Sequence, residues 1–158
     1  MNLFLPRHQE ILSLLIKHNV DFLIIGGYAV IFHGYERTTG DIDLWIKPTN
    51  ENRDKLSKVF LDAGMEEEDI ASLKEHDFTK HTSFSWESEP EKMDFITHIN
   101  LVEYEEANSN KIEYSWEGLI LPFVNLRELI LSKMNTGRKK DEADVEELQK
   151  IQSVKKLK

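Results

Sequence analysis

The chain contains no cysteine, which excludes disulfide bonds, thiol nucleophiles and cysteine-ligated zinc. No segment approaches the run of about 18 apolar residues that a membrane-spanning helix needs. The N-terminus also lacks a basic start followed by a sustained apolar stretch, so we expect no signal peptide. These absences predict a cytoplasmic location without membrane association.

Basic residues are a minority in this sequence. There are 20 Lys and Arg against 29 Asp and Glu, for a formal net charge of −9. Binding to nucleic acid through its phosphate backbone normally requires a basic surface. Short basic clusters occur at 138–140 and 155–158, and the second is typical of a solvated tail. Extensive nucleic-acid binding is therefore not expected.

Length and periodicity indicate a single small domain over residues 1–158, with apolar runs of strand length mixed with stretches of helical spacing. This mixture predicts an α+β (α/β-like) fold. Residues 103–111 are predicted to be an exposed loop, and 87–90 a turn. The predicted strands cover about 21–26, 41–46, 78–87, 91–99 and one or two pieces of 112–124 broken near Pro122. The predicted helices cover about 6–19, 27–34, 51–63, 125–136 and 141–152.

Two aspartates on one predicted strand are the strongest chemical signal. Side chains alternate along residues 41–46 (DIDLWI), so Asp41, Asp43 and Trp45 share one face. At a separation of ~4 Å, two carboxylates repel by roughly 4 kcal/mol at an effective dielectric of 20. A divalent cation, which prefers hard oxygen ligands, would relieve this repulsion. The alternative is an exposed strand with two surface acids.

Two glycines precede this strand. Gly26 and Gly27 follow the apolar run 21–25 and open a predicted short helix. Glycine allows the backbone to approach a phosphate closely, and a helix N-terminus offers free N–H donors. Phosphate binding is one interpretation, and a tight turn that needs small residues is the other.

In this order, the motifs resemble a known family. The segment 26–46 (GGYAVIFHGYERTTGDIDLWI) is similar to minimal nucleotidyltransferases of the DNA polymerase β superfamily, which place Gly-Gly before a short helix and Asp-x-Asp on the next strand. A third carboxylate follows on a later strand, and Asp94 is the candidate here. Lys133 and the segment 137–144 (GRKKDEAD) resemble the family's ending. The resemblance covers roughly residues 20–150. It implies a short mixed β-sheet flanked by helices, packed mainly on one side.

The resemblance implies a metal site and a general base. Asp41, Asp43 and Asp94 would hold two Mg²⁺ ions, or Mn²⁺, and Asp94 would accept the proton of the attacking hydroxyl. Glu91 replaces Asp94 if the strand register differs. Trp45 shares the Asp41 and Asp43 face and is a candidate for stacking on a base.

The resemblance also implies a nucleotide site, formed by Gly26, Gly27, Tyr28, Arg37 and Lys133. Tyr28 stands where many relatives carry Ser or Thr, and the Gly-Gly-aromatic-Ala form is similar to toxin-type, AbiEii-like members. Arg37 could instead face solvent in a loop. Lys133 lies on an apolar helix face, where it could pair with Asp141 or Asp144 and tie the last two helices together.

The implied reaction is metal-dependent transfer of a nucleoside monophosphate from an NTP, with ATP the expected donor, to an acceptor hydroxyl. A drug, a protein side chain and an RNA 3′ end remain open as acceptors, and the acidic surface favours a cationic drug or a protein. A homodimer or an antitoxin-like protein partner is open too. The alternative function is a non-catalytic NTP-binding regulatory or partner module of the same fold.

Overall fold

The computed structural model describes residues 4–86 and 91–156, which form an α+β fold; the predicted turn at 87–90 lies outside them. None of the helices in these ranges is both long and apolar enough to cross a membrane. The elements in chain order are α1 (Pro6–Lys17), β1 (Phe22–Ile25), α2 (Gly26–Phe32), β2 (Ile42–Ile46), α3 (Asn50–Asp62), α4 (Glu67–Lys74), β3 (Ser83–Trp86), β4 (Met93–Ile96), α5 (Tyr104–Ser109), β5 (Ile112–Trp116), β6 (Leu119–Phe123), α6 (Leu126–Lys133) and α7 (Lys139–Lys156).

A mixed sheet with the order β3-β4-β2-β1-β6-β5 organises the described residues. Strand β2 pairs antiparallel with β1 and parallel with β4. This register puts Asp43 beside Ile25 on one side and beside Asp94 on the other. Directly paired residues point to the same face of a sheet, so the Asp43 and Asp94 side chains are neighbours.

The two faces of the sheet are covered unequally. The larger core packs α1, α2, α3, α6 and α7 against one face, with fully buried side chains such as Leu12, Phe60 and Leu129. On the other face, α5 covers a small cluster that contains Leu23 and Trp45. The expected mixed sheet with flanking helices is confirmed, and the thinly covered face is the one that bears Asp43.

Trp45 is not available to stack on a base. It is only 1% exposed, and its Nε1 donates a hydrogen bond to the carbonyl of Thr97 at 2.8 Å. The sequence placed it correctly on the Asp43 face, but Tyr104 packs edge-on against its ring at 5.2 Å between centroids. Its role is therefore to seat α5 on the sheet.

Three segments differ from their predictions. Residues 103–111 are not an exposed loop, because α5 forms there and buries Tyr104 and Ala107. The strand predicted over 78–87 is shorter and is β3 alone. Pro122 does not break β6 but lies within it, opposite Glu113. Its missing N–H is tolerated because the ladder to β1 joins β6 at the next residue, Phe123.

Candidate active site

Three aspartates lie around one cleft on the thinly covered sheet face. Asp43 comes from β2, Asp94 from β4, and Asp41 immediately precedes β2. All three line a cavity of about 890 Å³. Glu91, the alternative to Asp94, points elsewhere and accepts a hydrogen bond from the backbone N–H of Arg7 at 3.1 Å.

The Asp43 and Asp94 pair is electrostatically strained. Burial, followed by the charge of Asp94, raises the pKa of Asp43 to about 7, and Lys133 opposes this shift. Asp94 is held from outside the pair, since Ser85 Oγ donates a hydrogen bond to its Oδ1 and Lys92 Nζ lies 3.7 Å from the same atom. A positive charge between the two carboxylates would remove the repulsion.

The carboxylates fit a magnesium-type ion as a partial ligand set. In residues 4–86 and 91–156, no three acidic or histidine side chains converge tightly enough to enclose an ion as they stand. Mg²⁺ commonly takes only one or two protein carboxylates and fills its shell with water and substrate phosphate. Asp43 and Asp94 supply such a pair, and Asp41, which is exposed, lies within the same cleft.

The two glycines are required by the close approach of other side chains. Gly26 has φ of +67°, and a Cβ at this position would overlap the Asp43 carboxylate. A Cβ on Gly27 would lie 2.6 Å from Thr39 Oγ1. The tight-turn interpretation therefore holds, and both glycines also line the cleft.

The Tyr28 side chain lies outside the cleft. It is 3% exposed and packs against Phe4, with ring centroids 5.1 Å apart. Its hydroxyl lies 3.4 Å from Nδ1 of His8, whose Nε2 lies 3.1 Å from the carbonyl of Lys92. A carbonyl only accepts, so Nε2 carries the proton and Nδ1 accepts from Tyr28. The expected nucleotide contact therefore does not involve the Tyr28 ring in this structure.

Arg37 and Lys133 meet at a buried aspartate. Lys133 Nζ lies 3.0 Å from Oδ2 of Asp144 and 3.4 Å from Oδ1 of Asp141. Arg37 Nη2 donates to the same Oδ2 of Asp144 at 3.1 Å. The Asp144 side chain is 2% exposed, so its one negative charge is shared by two cations away from water, and Asp141 adds a second negative charge beside Lys133. The structural Lys–Asp pair is thus present, and a solvent-facing Arg37 is wrong, yet both cations still line the cleft.

Several cleft residues were missed by sequence reasoning. Ser85 and Lys92 contact Asp94, and Arg138 and Lys140 contribute further positive charge. Ser85 could be found only once β3 is paired with β4, since serine on a short exposed strand carries no signal of its own. The basic turn was noticed in the sequence, but its position at the cleft depends on how α6 and α7 pack.

The fold is shared with known antibiotic-modifying enzymes. The chain is similar to the lincosamide antibiotic adenylyltransferase LnuA in its lincomycin-bound structure, with a TM-score of 0.57, 17% identity and coverage of 92% of this chain and 96% of that one. It is also similar to the solution structure of the antibiotic-resistance factor ANT(2'')-Ia, with a TM-score of 0.55, 14% identity and coverage of 95% of this chain and 89% of that one. The crystal structure of ANT(2")-Ia in complex with adenylyl-2"-tobramycin matches with a TM-score of 0.50, 15% identity and coverage of 93% of each chain. At such identities these matches show the fold alone.

The family of the chain is shown by a match to a protein-family model. No curated protein matches the chain significantly. The protein-family model described as "Nucleotidyltransferase of unknown function (DUF6036)" matches residues 5–157, which is nearly the whole chain. The chain therefore belongs to this nucleotidyltransferase family and is a nucleotidyl-transfer enzyme.

Proposed function

We propose that the protein transfers a nucleoside monophosphate from an NTP, with ATP the expected donor, to an acceptor hydroxyl, and that the transfer requires Mg²⁺ or Mn²⁺. The observation that carries this proposal is the register pairing of Asp43 with Asp94, with Gly26 kept small so that the Asp43 carboxylate fits. This strained pair favours a catalytic site over a module that only binds NTP.

The carboxylates would work at the point of bond exchange. The acceptor oxygen forms a bond to the α-phosphorus while the bond from that phosphorus to the oxygen between the α- and β-phosphates breaks, and that oxygen leaves with pyrophosphate. Asp94 would accept the hydroxyl proton, and the hydrogen bond from Ser85 would fix the direction of its carboxylate. A divalent ion bound by Asp43 and Asp94, with Asp41 nearby, would neutralise charge on the phosphates.

Arg37 and Lys133 would hold the leaving pyrophosphate. An ammonium has three N–H donors, and Asp141 and Asp144 engage two of those of Lys133. The third donor remains for a phosphate oxygen, and the Arg37 guanidinium likewise has donors to spare beyond Asp144. Fixed donors of this kind stabilise charge that develops during transfer without reorganisation.

The acceptor and the biological setting rest on weaker support. The likeness to enzymes that modify lincomycin and tobramycin supports a drug hydroxyl by analogy of fold. A protein hydroxyl, an RNA 3′ end, a toxin-type role with an antitoxin-like partner, and a homodimer rest on the sequence resemblance.

Thermal stability with each NTP, with and without Mg²⁺, tests the site before any acceptor is known. A ligand at 100 times its dissociation constant should stabilise the wild type by about 2.7 kcal/mol. Asp43→Asn should lose this magnesium-dependent shift, and Asp69→Asn, an exposed aspartate on α4, should retain it. An equal shift in both variants, or no shift with any NTP, would overturn the proposal. A positive result would be followed by transfer assays with α-labelled nucleotide.

A further inference from the structure

The cleft has two chemically different halves, separated by the three aspartates. One half carries Gly26 and Gly27 together with the cations Arg37, Lys133 and Arg138. The other half is the exposed face of the β3–β4 ladder. The proposed function uses the first half for the triphosphate and assigns nothing to the second.

Three cross-strand pairs form this second half. Ser85 lies opposite Asp94, and Ser83 lies opposite Ile96 on the same face. One step further along the alternation, the rings of His81 and His98 lie 6.1 Å apart between centroids. We call Ser83, Ile96, His81 and His98 the β3–β4 strip, and all four line the cleft. At a strand rise of about 3.3 Å per residue, the histidine pair lies up to ~13 Å from Asp94, beyond the ends of β3 and β4.

We propose that the β3–β4 strip binds the acceptor, and that this acceptor is neutral or anionic rather than a polycation. The proposal rests on the proposed function. In phosphoryl transfer, the attacking and leaving oxygens lie roughly in line across the phosphorus. If pyrophosphate leaves toward Gly26 and Arg37, the hydroxyl enters from the opposite side of the aspartates, and the strand order puts β3 and β4 on the side of β2 away from β1 and Gly26.

The charges on this side are unsuited to an acceptor with several ammonium groups. Among the described residues that line the cleft, the carboxylates are the three aspartates around the reacting centre and Asp141. Thr136 Oγ1 donates to Asp141 at 2.7 Å, and Lys133 pairs with it. The strip offers a hydroxyl, an apolar side chain and two imidazoles, with the Lys92 ammonium close to Asp94. Among the described residues the strip itself holds no carboxylate, so the ammonium groups of a polycation would have to pair with the aspartates that the metal ion would need.

Two acidic runs among the described residues lie elsewhere on the molecule. The acidic runs at 66–69 and 103–106 do not line the cleft. The net charge of −9 therefore misleads about the acceptor, since it favours a cationic drug while the charges at the cleft oppose one. The Debye length at physiological salt is ~8 Å, so the charges close to the strip determine which acceptor charge is favoured there.

Titration of the wild type with three probes tests this assignment. The probes are tobramycin as a polycation, trehalose as a neutral polyol and uridine 5′-monophosphate as an anion that carries hydroxyls. The readout is the imidazole NMR signals of His81 and His98, assigned with His81→Gln and His98→Gln. The protein is first saturated with Mg²⁺ and α,β-methylene ATP, so that the phosphate half is filled. We expect the neutral or the anionic probe to shift both signals at a concentration at least tenfold below any effect of tobramycin.

Two variants that each introduce one negative charge distinguish binding at the strip from nonspecific binding to the protein surface. Ser83→Asp should tighten tobramycin binding about tenfold, equivalent to about 1.4 kcal/mol, and weaken the anion to a similar extent. Ser72→Asp on the exposed surface of α4 makes the same charge change outside the cleft and should alter neither affinity.

Each result of this experiment decides the proposal. Tobramycin shifting both histidines at the lowest concentration would overturn the acceptor class, and Ser83→Asp behaving like Ser72→Asp would overturn the location. Failure of all three probes to shift either histidine would also count against the strip. Failure of the proposed function is seen separately, as the absence of magnesium-dependent stabilisation by α,β-methylene ATP. In that case the titrations without nucleotide still test the strip.

Discussion

Asp43→Asn should stabilise the metal-free protein while it abolishes nucleotidyl transfer. The Asp43 carboxylate is half-buried beside Asp94, and burial with this neighbouring charge raises its pKa from 3.8 to about 7. The amide keeps the shape of the side chain and is neutral at every pH. The substitution therefore removes the repulsion but also removes a ligand for the metal.

The sign and the size of this stabilisation follow from the linkage between proton binding and folding. Between pH 3.8 and about 7 the folded protein retains a proton on Asp43 that the unfolded chain has lost, so stability falls as pH rises through this window. The full difference in pKa corresponds to about 4 kcal/mol. Water in the open cleft screens the pair, so we expect about 2 kcal/mol above pH 8. For a chain of this length that is roughly 4–8 °C in Tm.

Thermal or urea unfolding in EDTA at several pH values measures this effect. The advantage of Asp43→Asn over wild type should be small near pH 4, grow up to about pH 7 and stay constant above pH 8. Asp69→Asn, exposed on α4, should show no such trend. A destabilising effect of Asp43→Asn at pH 8, or a gain that does not change with pH, would refute the reasoning.

Three further substitutions test the supports of the site. Gly26→Ala should destabilise the protein by about 3 kcal/mol, because strain at positive φ is added to the overlap of the new Cβ with Asp43. Gly64→Ala, which has open space around it, should cost only about 1 kcal/mol, and urea denaturation measures both. Asp144→Ala should destabilise by about 3 kcal/mol and raise the KM for NTP, because it removes the buried carboxylate of Arg37 and leaves Lys133 with Asp141 alone. An unchanged KM would refute a phosphate role for the two cations. His8→Leu should reduce the free energy of unfolding by about 1 kcal/mol and lower kcat, because the Lys92 carbonyl just before β4 loses a hydrogen-bond donor. A retained kcat would show that this contact is only structural.

The errors of the sequence-based prediction have one physical source. Residues 103–111 are so polar that a loop is the natural prediction, and only the ring of Trp45 beneath Tyr104 explains why a helix forms. The residue after Gly-Gly was predicted to contact the nucleotide, but Phe4 packs on the Tyr28 ring and His8 of α1 lies near its hydroxyl. In both places a contact between segments distant in sequence outweighed the local pattern.

The sequence by itself determined the α+β fold class, because strand and helix periods are local properties of the chain, and the family resemblance implied the mixed sheet. It also predicted which residues carry the chemistry, since Gly-Gly, Asp-x-Asp and a third aspartate in order form a recognisable family pattern. Only the tertiary structure decided that Asp94 lies beside Asp43 and that Asp144 holds both Arg37 and Lys133. It also decided that the acidic runs at 66–69 and 103–106 lie away from the cleft. Register, burial and the distribution of charge in space arise from long-range packing, which no local window of sequence contains.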